Sequence, residues 1–328
     1  MDSNIADLKE AITLYPDNAK AHYYLGNALY HKGLWEDAIN ELSEAIRLNP
    51  RYSDAHFDLG NAFFNIGFLD EAIYEFKATL RLDPNISEGY FNLGLAFYNK
   101  GMWDEAIIEF IDALRLDPNM SDAHFNLGNA FYNQGLWDEA IKQFIAALRL
   151  DPEISEGYFN LGLAFYNAGK WDEAIEVYRE ALRLDPDISD AHYNLGLALG
   201  HKGLWDDVLF EFNEAVRLDP DNPNGHYSIG LVLKEMKLWD DAIAEFKEVI
   251  RLDRNRAEAH FDLGLVLCFR GLWNYAILEL KEAVKLDPDN EKSHYVLGLA
   301  LKEKGLRVDS NKELEIAKTL NPGLKVKT

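Results

Sequence analysis

The sequence predicts an all-α fold of stacked helical hairpins, and three observations carry that prediction. A unit of 34 residues recurs almost unbroken from Ala19 to the end of the chain, a period that belongs to hairpin arrays and not to one closed core. Each unit holds two short apolar runs at helical spacing; in the fourth they are Leu127, Ala130 and Phe131, then Ala140, Ile141, Phe144, Ala147 and Leu148. Glycine and proline alternate between the runs, as hairpin turns and helix stops require.

The elements follow in order. A lone helix over Ile5 to Leu14 reads as the second half of a repeat in residues 1–18. Eight repeats fill 19–290, opening at Ala19, Ser53, Ser87, Ser121, Ser155, Ser189, Pro223 and Ala257, and a ninth fills 291–328. One array over 1–328 is therefore expected. Gly135 and its equivalents mark the turn inside each hairpin, with Lys237 standing there once, so the seventh hairpin is expected to turn differently. Pro118, Pro152 and their equivalents close the second helices, and Ser53, Ser87, Ser121, Ser155 and Ser189 stand where N-caps are needed. Arg254 replaces one proline, which makes the junction of the seventh and eighth repeats the expected irregularity. A second glycine column, Gly128 and its equivalents, sits inside the first helices at a cost of about 1 kcal/mol each. Close approach of the small residues in the second helix, such as Ala140, is expected to offset it. The last unit has Arg307 for Trp and then Asp309, Ser310 and Asn311, a polar face suited to capping.

The recurring Leu-Gly, the aromatic three residues on, the Ala-x3-aromatic and the closing Pro resemble the tetratricopeptide repeat. That resemblance covers essentially the whole chain and implies a right-handed superhelical solenoid whose first helices line a concave groove. Two columns depart from the family pattern. The first-helix position that often holds Trp has His22, His56, Tyr90, His124, Tyr158, His192, His226, His260 and His294. All seven tryptophans instead open the second helices, which reads as an exchange of bulk between two packing positions.

Composition narrows the function. The formal charge is -23, from 56 acidic and 33 basic residues, which argues against nucleic acid. A neutral-to-basic protein or peptide suits it better. Cys268 stands alone, so a cytoplasmic, reducing setting is expected. No apolar run is long enough to span a bilayer. Adjacent histidines lie at least one helix-packing distance of about 8–10 Å apart, too far to share a metal ion, so no metal and no cofactor are expected. The acidic pairs at second-helix starts and the arginines at their ends follow the helix dipole, and no catalytic set is found.

A polar stripe is not explained by packing. Asp122, Asn126, Asn129 and Asn133 follow helical spacing on a face apart from the apolar one, and Glu156, Asn160 and Asn167 are their fifth-repeat counterparts. Stacking aligns Asn92, Asn126, Asn160 and Asn194 into one ladder, and Asn99, Asn133 and Asn167 into another. Phe125, Phe159, Tyr132 and Tyr166 run beside them. The family resemblance turns this stripe into the groove, where amides can meet an extended peptide backbone and rings can hold its side chains. The ladder also resembles the asparagine-lined arm of O-GlcNAc transferase. The expected function is a non-catalytic scaffold for an extended protein segment. Two other readings compete: a substrate-recruiting arm of a larger enzyme such as a glycosyltransferase, and a homo-oligomer joined along the apolar turn residues Leu34, Phe68, Met102, Leu136, Leu204, Leu238 and Leu272.

Overall fold

A computed structural model describes residues 2–323. Among them are nineteen α-helices and no strand. Backbone contacts group the chain into two compact units, Met1–Lys170 and Trp171–Thr328. The first unit opens with α1 (Asp2–Leu14), whose Ile5, Leu8 and Ile12 pack on the first hairpin. Four hairpins follow: α2 (Ala19–Tyr30) with α3 (Trp35–Leu48), α4 (Ser53–Asn65) with α5 (Leu69–Leu82), α6 (Ser87–Asn99) with α7 (Trp103–Leu116), and α8 (Ser121–Asn133) with α9 (Trp137–Leu150). It closes with α10 (Ser155–Asn167). The second unit runs from α11 (Trp171–Leu184) through α12 (Ser189–His201), α13 (Trp205–Leu218), α14 (Pro223–Glu235), α15 (Trp239–Leu252), α16 (Ala257–Phe269), α17 (Trp273–Leu286) and α18 (Glu291–Glu303) to α19 (Arg307–Leu320).

The turns are more uniform than the sequence suggests. Gly135 sits at φ 74°, with the amide of Leu136 reaching back 2.9 Å to the Phe131 carbonyl. Lys237 adopts φ 62°, and Leu238 makes the same bond to Leu233 at 2.8 Å. The seventh hairpin thus turns like the others, because helix packing imposes the left-handed residue whatever its side chain. The Arg254 junction is regular too. Asp253 accepts the Asn255 amide at 3.0 Å, as Asp117 accepts that of Asn119 across Pro118 at 3.0 Å. This side-chain turn, and not proline itself, sets the junction.

The serines do not cap. Each is the first helical residue, and the N-cap positions Tyr52, Ile86, Met120, Ile154 and Ile188 make no side-chain cap bond. Ser121 and Ser189 instead donate to the carbonyls of Ala147 and Ala215 in their own second helices, at 3.2 and 3.1 Å. Side-chain caps occur where asparagine precedes the helix, at Asn18, Asn222 and Asn290.

Inside the hairpin small faces large, not small. A Cβ on Gly128 would lie 2.7 Å from the Phe144 ring, and Gly60, Gly94 and Gly230 stand equally close to Phe76, Phe110 and Phe246. These phenylalanines are fully buried. The helical glycine is therefore the socket for a ring sixteen residues on, and the burial of that ring offsets its conformational cost. The tryptophans have not exchanged places with the histidines in the core: Trp35 and Trp103 are 37 % exposed and Trp205 43 %. They form a partly covered ridge along the turns. In the capping repeat Ser310 occupies the buried alanine position and donates to the Gly298 carbonyl at 2.7 Å.

Candidate binding surface on the first helices

In the first unit the first helices of neighbouring repeats touch one another, α2 with α4, α4 with α6, α6 with α8, and α8 with α10. The first helices carry the polar stripe.

The stripe's amides are used to tie repeats together. Asn92 donates to Asn61 at 2.8 Å, Asn160 to Asn129 at 3.3 Å and Asn27 to Asp58 at 2.7 Å, always across 31 residues. Asn126 and Asn194 have leucine at the matching site and donate to their own helices instead, each at 2.8 Å to the carbonyl of Asp122 or Asp190. In the second ladder Asn133 and Asn167 donate to the hydroxyls of Tyr98 and Tyr132 at 2.8 and 2.9 Å, and Asn65 to that of Tyr30 at 2.9 Å. At the same offset from Asn99 stands Phe64, which has no hydroxyl, and the exposed Asn99 amide makes no hydrogen bond among the described residues. Phe125 is half buried, its ring centroid 5.8 Å from that of Phe144. Phe159, Tyr132 and Tyr166 are half buried as well, and Asp122 and Glu156 are exposed with Asp54 and Glu88 in the same column. The exposed carboxylates of that column make this side acidic, and each asparagine amide beside them carries both donors and an acceptor.

The histidine column is a structural clamp. His56 Nδ1 lies 2.5 Å from Glu75 and Nε2 lies 3.2 Å from the Pro50 carbonyl. His192 and His260 repeat this with Glu211 and Glu279 at 2.6 and 2.8 Å. Both ring nitrogens face oxygens that only accept, so the doubly protonated ring fits best. The hydrogen bond to the glutamate raises the pKa of His56, His192 and His260 against the opposing effect of burial. Stability from these clamps is complete below the ordinary histidine value of about 6.5 and fades as pH rises through the raised folded values.

The third repeat has Tyr90 in place of histidine, which orphans the clamp's other half. Among the described residues Glu109 makes no hydrogen bond, and burial with the nearby Asp112 pushes its pKa up to about 7. A carboxyl raised in the fold penalises folding as pH climbs from the unfolded value toward 7. Because Glu109 is partly solvated, we expect Glu109→Gln to stabilise by about 1 kcal/mol at pH 8 and by nothing at pH 4. Tyr90→His should recover a similar amount at pH 8 by restoring the clamp. Thermal melts of both variants across that range test this.

The tetratricopeptide repeat profile matches residues 5–46, 57–121, 91–153, 125–188 and 159–223, and a second repeat profile of the family matches 26–67 and 266–305. Matched segments cover more than half of the chain. It belongs to the tetratricopeptide repeat family. Among solved structures, YrrB, described as a tetratricopeptide protein with an unusual peptide-binding site, is similar at 24 % identity and TM-score 0.52, over 60 % of this chain and 97 % of its own. PilF of Pseudomonas aeruginosa is similar at 23 % identity and TM-score 0.53, over 62 % and 93 %. MamA of Desulfovibrio magneticus RS-1 is similar at 23 % identity and TM-score 0.50, over 51 % and 95 %. At such identities the likeness is one of fold. No curated protein matches the chain. The tetratricopeptide repeats and their structural neighbours support a protein-interaction scaffold, and no described helix is long and apolar enough to cross a membrane.

Proposed function

We propose that the chain is a non-catalytic scaffold that holds an extended, neutral-to-basic segment of a partner protein along the first-helix side. One observation carries this reading: a column of exposed carboxylates runs along the first helices beside the asparagine stripe, in which Asn92 and Asn160 each bond the preceding repeat. Asp54, Glu88, Asp122 and Glu156 are exposed beside Asn92, Asn126 and Asn160. Such a surface suits backbone amides and Lys or Arg side chains, and disfavours acidic tails. Half-buried Phe125, Phe159, Tyr132 and Tyr166 offer apolar faces between the acceptors. The peptide-binding site of the fold neighbour YrrB agrees with this use of the fold. A reducing cytoplasm suits the single Cys268, whose thiol is pushed up to about 11 by burial.

The asparagine ladder's likeness to the arm of O-GlcNAc transferase supports a second reading, in which the same side recruits substrate to a catalytic domain on a longer chain. Both readings predict one result for one pair of substitutions. Among the described residues Asn126 donates to its own helix and Asn99 makes no hydrogen bond, so Asn99→Ala with Asn126→Ala should leave the melting temperature within a few degrees of wild type. Partner affinity should fall about tenfold, some 1.4 kcal/mol. Unchanged affinity by isothermal titration against the captured partner would remove the ladder from the binding surface.

A further inference from the structure

The turn edge carries a second, different regularity. At several hairpins an acid at the start of the second helix grips a side chain at or just beyond the end of the next repeat's first helix, 30 to 32 residues on. In the first unit Asp70 pairs with Lys100, Asp104 takes a hydrogen bond from Gln134 at 2.5 Å, and Asp138 pairs with Lys170 at 2.7 Å. In the second unit Asp172 pairs with Lys202 at 2.8 Å and Asp240 with Arg270 at 2.9 Å. At two places the acid faces an apolar side chain. Opposite Glu36 stands Ile66, and opposite Asp206 stands Met236, so neither acid has a described cation.

At the first of these places the surface is hollow. Leu34, Trp35, Glu36, Asp37 and Ile66, with Gly33, line an open recess of about 290 Å3. Leu34 is 46 % exposed and Trp35 37 %, and Phe68 on the next turn is 54 % exposed. Apolar walls thus end in two carboxylates with no ion pair among the described residues, at the place where the next repeat holds Lys100 against Asp70. We propose that this recess is a docking site for a Lys or Arg side chain projecting from a basic amphipathic segment of a partner protein. Its methylenes lie against Trp35 and Ile66, its charge meets Glu36 and Asp37, and apolar neighbours on the segment cover Leu34 and Phe68. The site is on the turn edge, not on the first-helix side, and does not depend on the function proposed above. A second copy of this chain and an anionic membrane are both disfavoured as occupants. Each would bring negative charge to an acidic edge of a chain of net charge -23.

The test uses a fluorescein-labelled 18-residue peptide of leucine and lysine in amphipathic helical order, and its leucine and glutamate counterpart. Ile66→Lys places an internal lysine where Lys100 stands in the next repeat, so it should fold and fill the site from within. Asn40→Lys, on an exposed second-helix position, adds the same charge elsewhere. Anisotropy titrations at physiological salt should show the lysine peptide binding wild type and Asn40→Lys alike, and Ile66→Lys at least tenfold more weakly. The glutamate peptide should not bind. Equal affinity for Ile66→Lys and Asn40→Lys would overturn the proposal, as would binding of the glutamate peptide. So would wild-type dimers in light scattering that Ile66→Lys dissolves, or capture by phosphatidylserine vesicles that Ile66→Lys abolishes. Should Ile66→Lys melt below wild type, Trp35→Ala replaces it with the same tenfold expectation.

Discussion

Phe144→Ala is expected to lower the stability of the first unit by about 3–5 kcal/mol, the range for truncating a fully buried aromatic ring. Phe144 is 0 % exposed and fills the socket left by Gly128. The reverse change tests the same contact. Gly128→Ala drives a methyl to 2.7 Å from the ring, nearer than atoms pack without displacement, and should cost about 1–3 kcal/mol despite alanine's better helix propensity. The two are not independent. In the double variant the new methyl enters the cavity left by the missing ring, so the combined loss should fall short of the sum by about 1 kcal/mol. Urea unfolding followed by helix signal measures all three. A neutral or stabilising Gly128→Ala would show that the glycine column does not exist to seat the rings.

Lys234→Met should cost about 3 kcal/mol at pH 7, the second large effect. Asp262 is 5 % exposed and accepts from Lys234 Nζ at 2.6 Å and the Tyr227 hydroxyl at 2.8 Å. Removing the lysine leaves a buried carboxylate with one neutral donor, the costly way to break such a pair. The sign of the pH dependence follows. An orphaned carboxyl prefers its protonated form in the fold, so the loss is full at neutral pH and shrinks as pH falls toward the unfolded value of about 3.9. The gap in melting temperature between wild type and Lys234→Met should close between pH 7 and pH 4. A constant gap would assign the loss to packing instead. Adding Asp262→Leu should restore much of the stability at pH 7, since an apolar pair of similar size needs no desolvation.

Much of this architecture is legible in the sequence because the repeat states every rule nine times. The helix limits, the turn at Gly135 and the closing Pro118 follow from local chemistry. Local chemistry also misleads at single sites. Lys237 and Arg254 read as exceptions, yet the packing of adjoining helices and the Asp253 side chain hold both in the common geometry. Ser121 reads as a cap because capping serines precede helices, but it lies one residue inside and bonds across the hairpin. The columns themselves are visible; which columns face each other is not. Glycine meets phenylalanine at a separation of 16, histidine meets glutamate at 19, acid meets lysine near 30 and tyrosine meets asparagine at 35. None of these distances belongs to one helix, so periodicity within a helix cannot reveal them. The stripe at Asn92, Asn126 and Asn160 shows why this matters. Its residues are found by spacing alone, while the pairing of Asn92 with Asn61 and of Asn160 with Asn129 across repeats emerges only from the stacking.

Site-specific photocrosslinking tests the proposed binding side most directly. A benzoylphenylalanine is placed at Phe125, on the first-helix side, or at Tyr74, which is 63 % exposed on a second helix. Both proteins are irradiated in native extract, and the adducts are sequenced. The account predicts a discrete polypeptide, attached through a segment rich in Lys or Arg, from position 125 and little from position 74. Adducts confined to position 74, or an acidic segment at position 125, would contradict it.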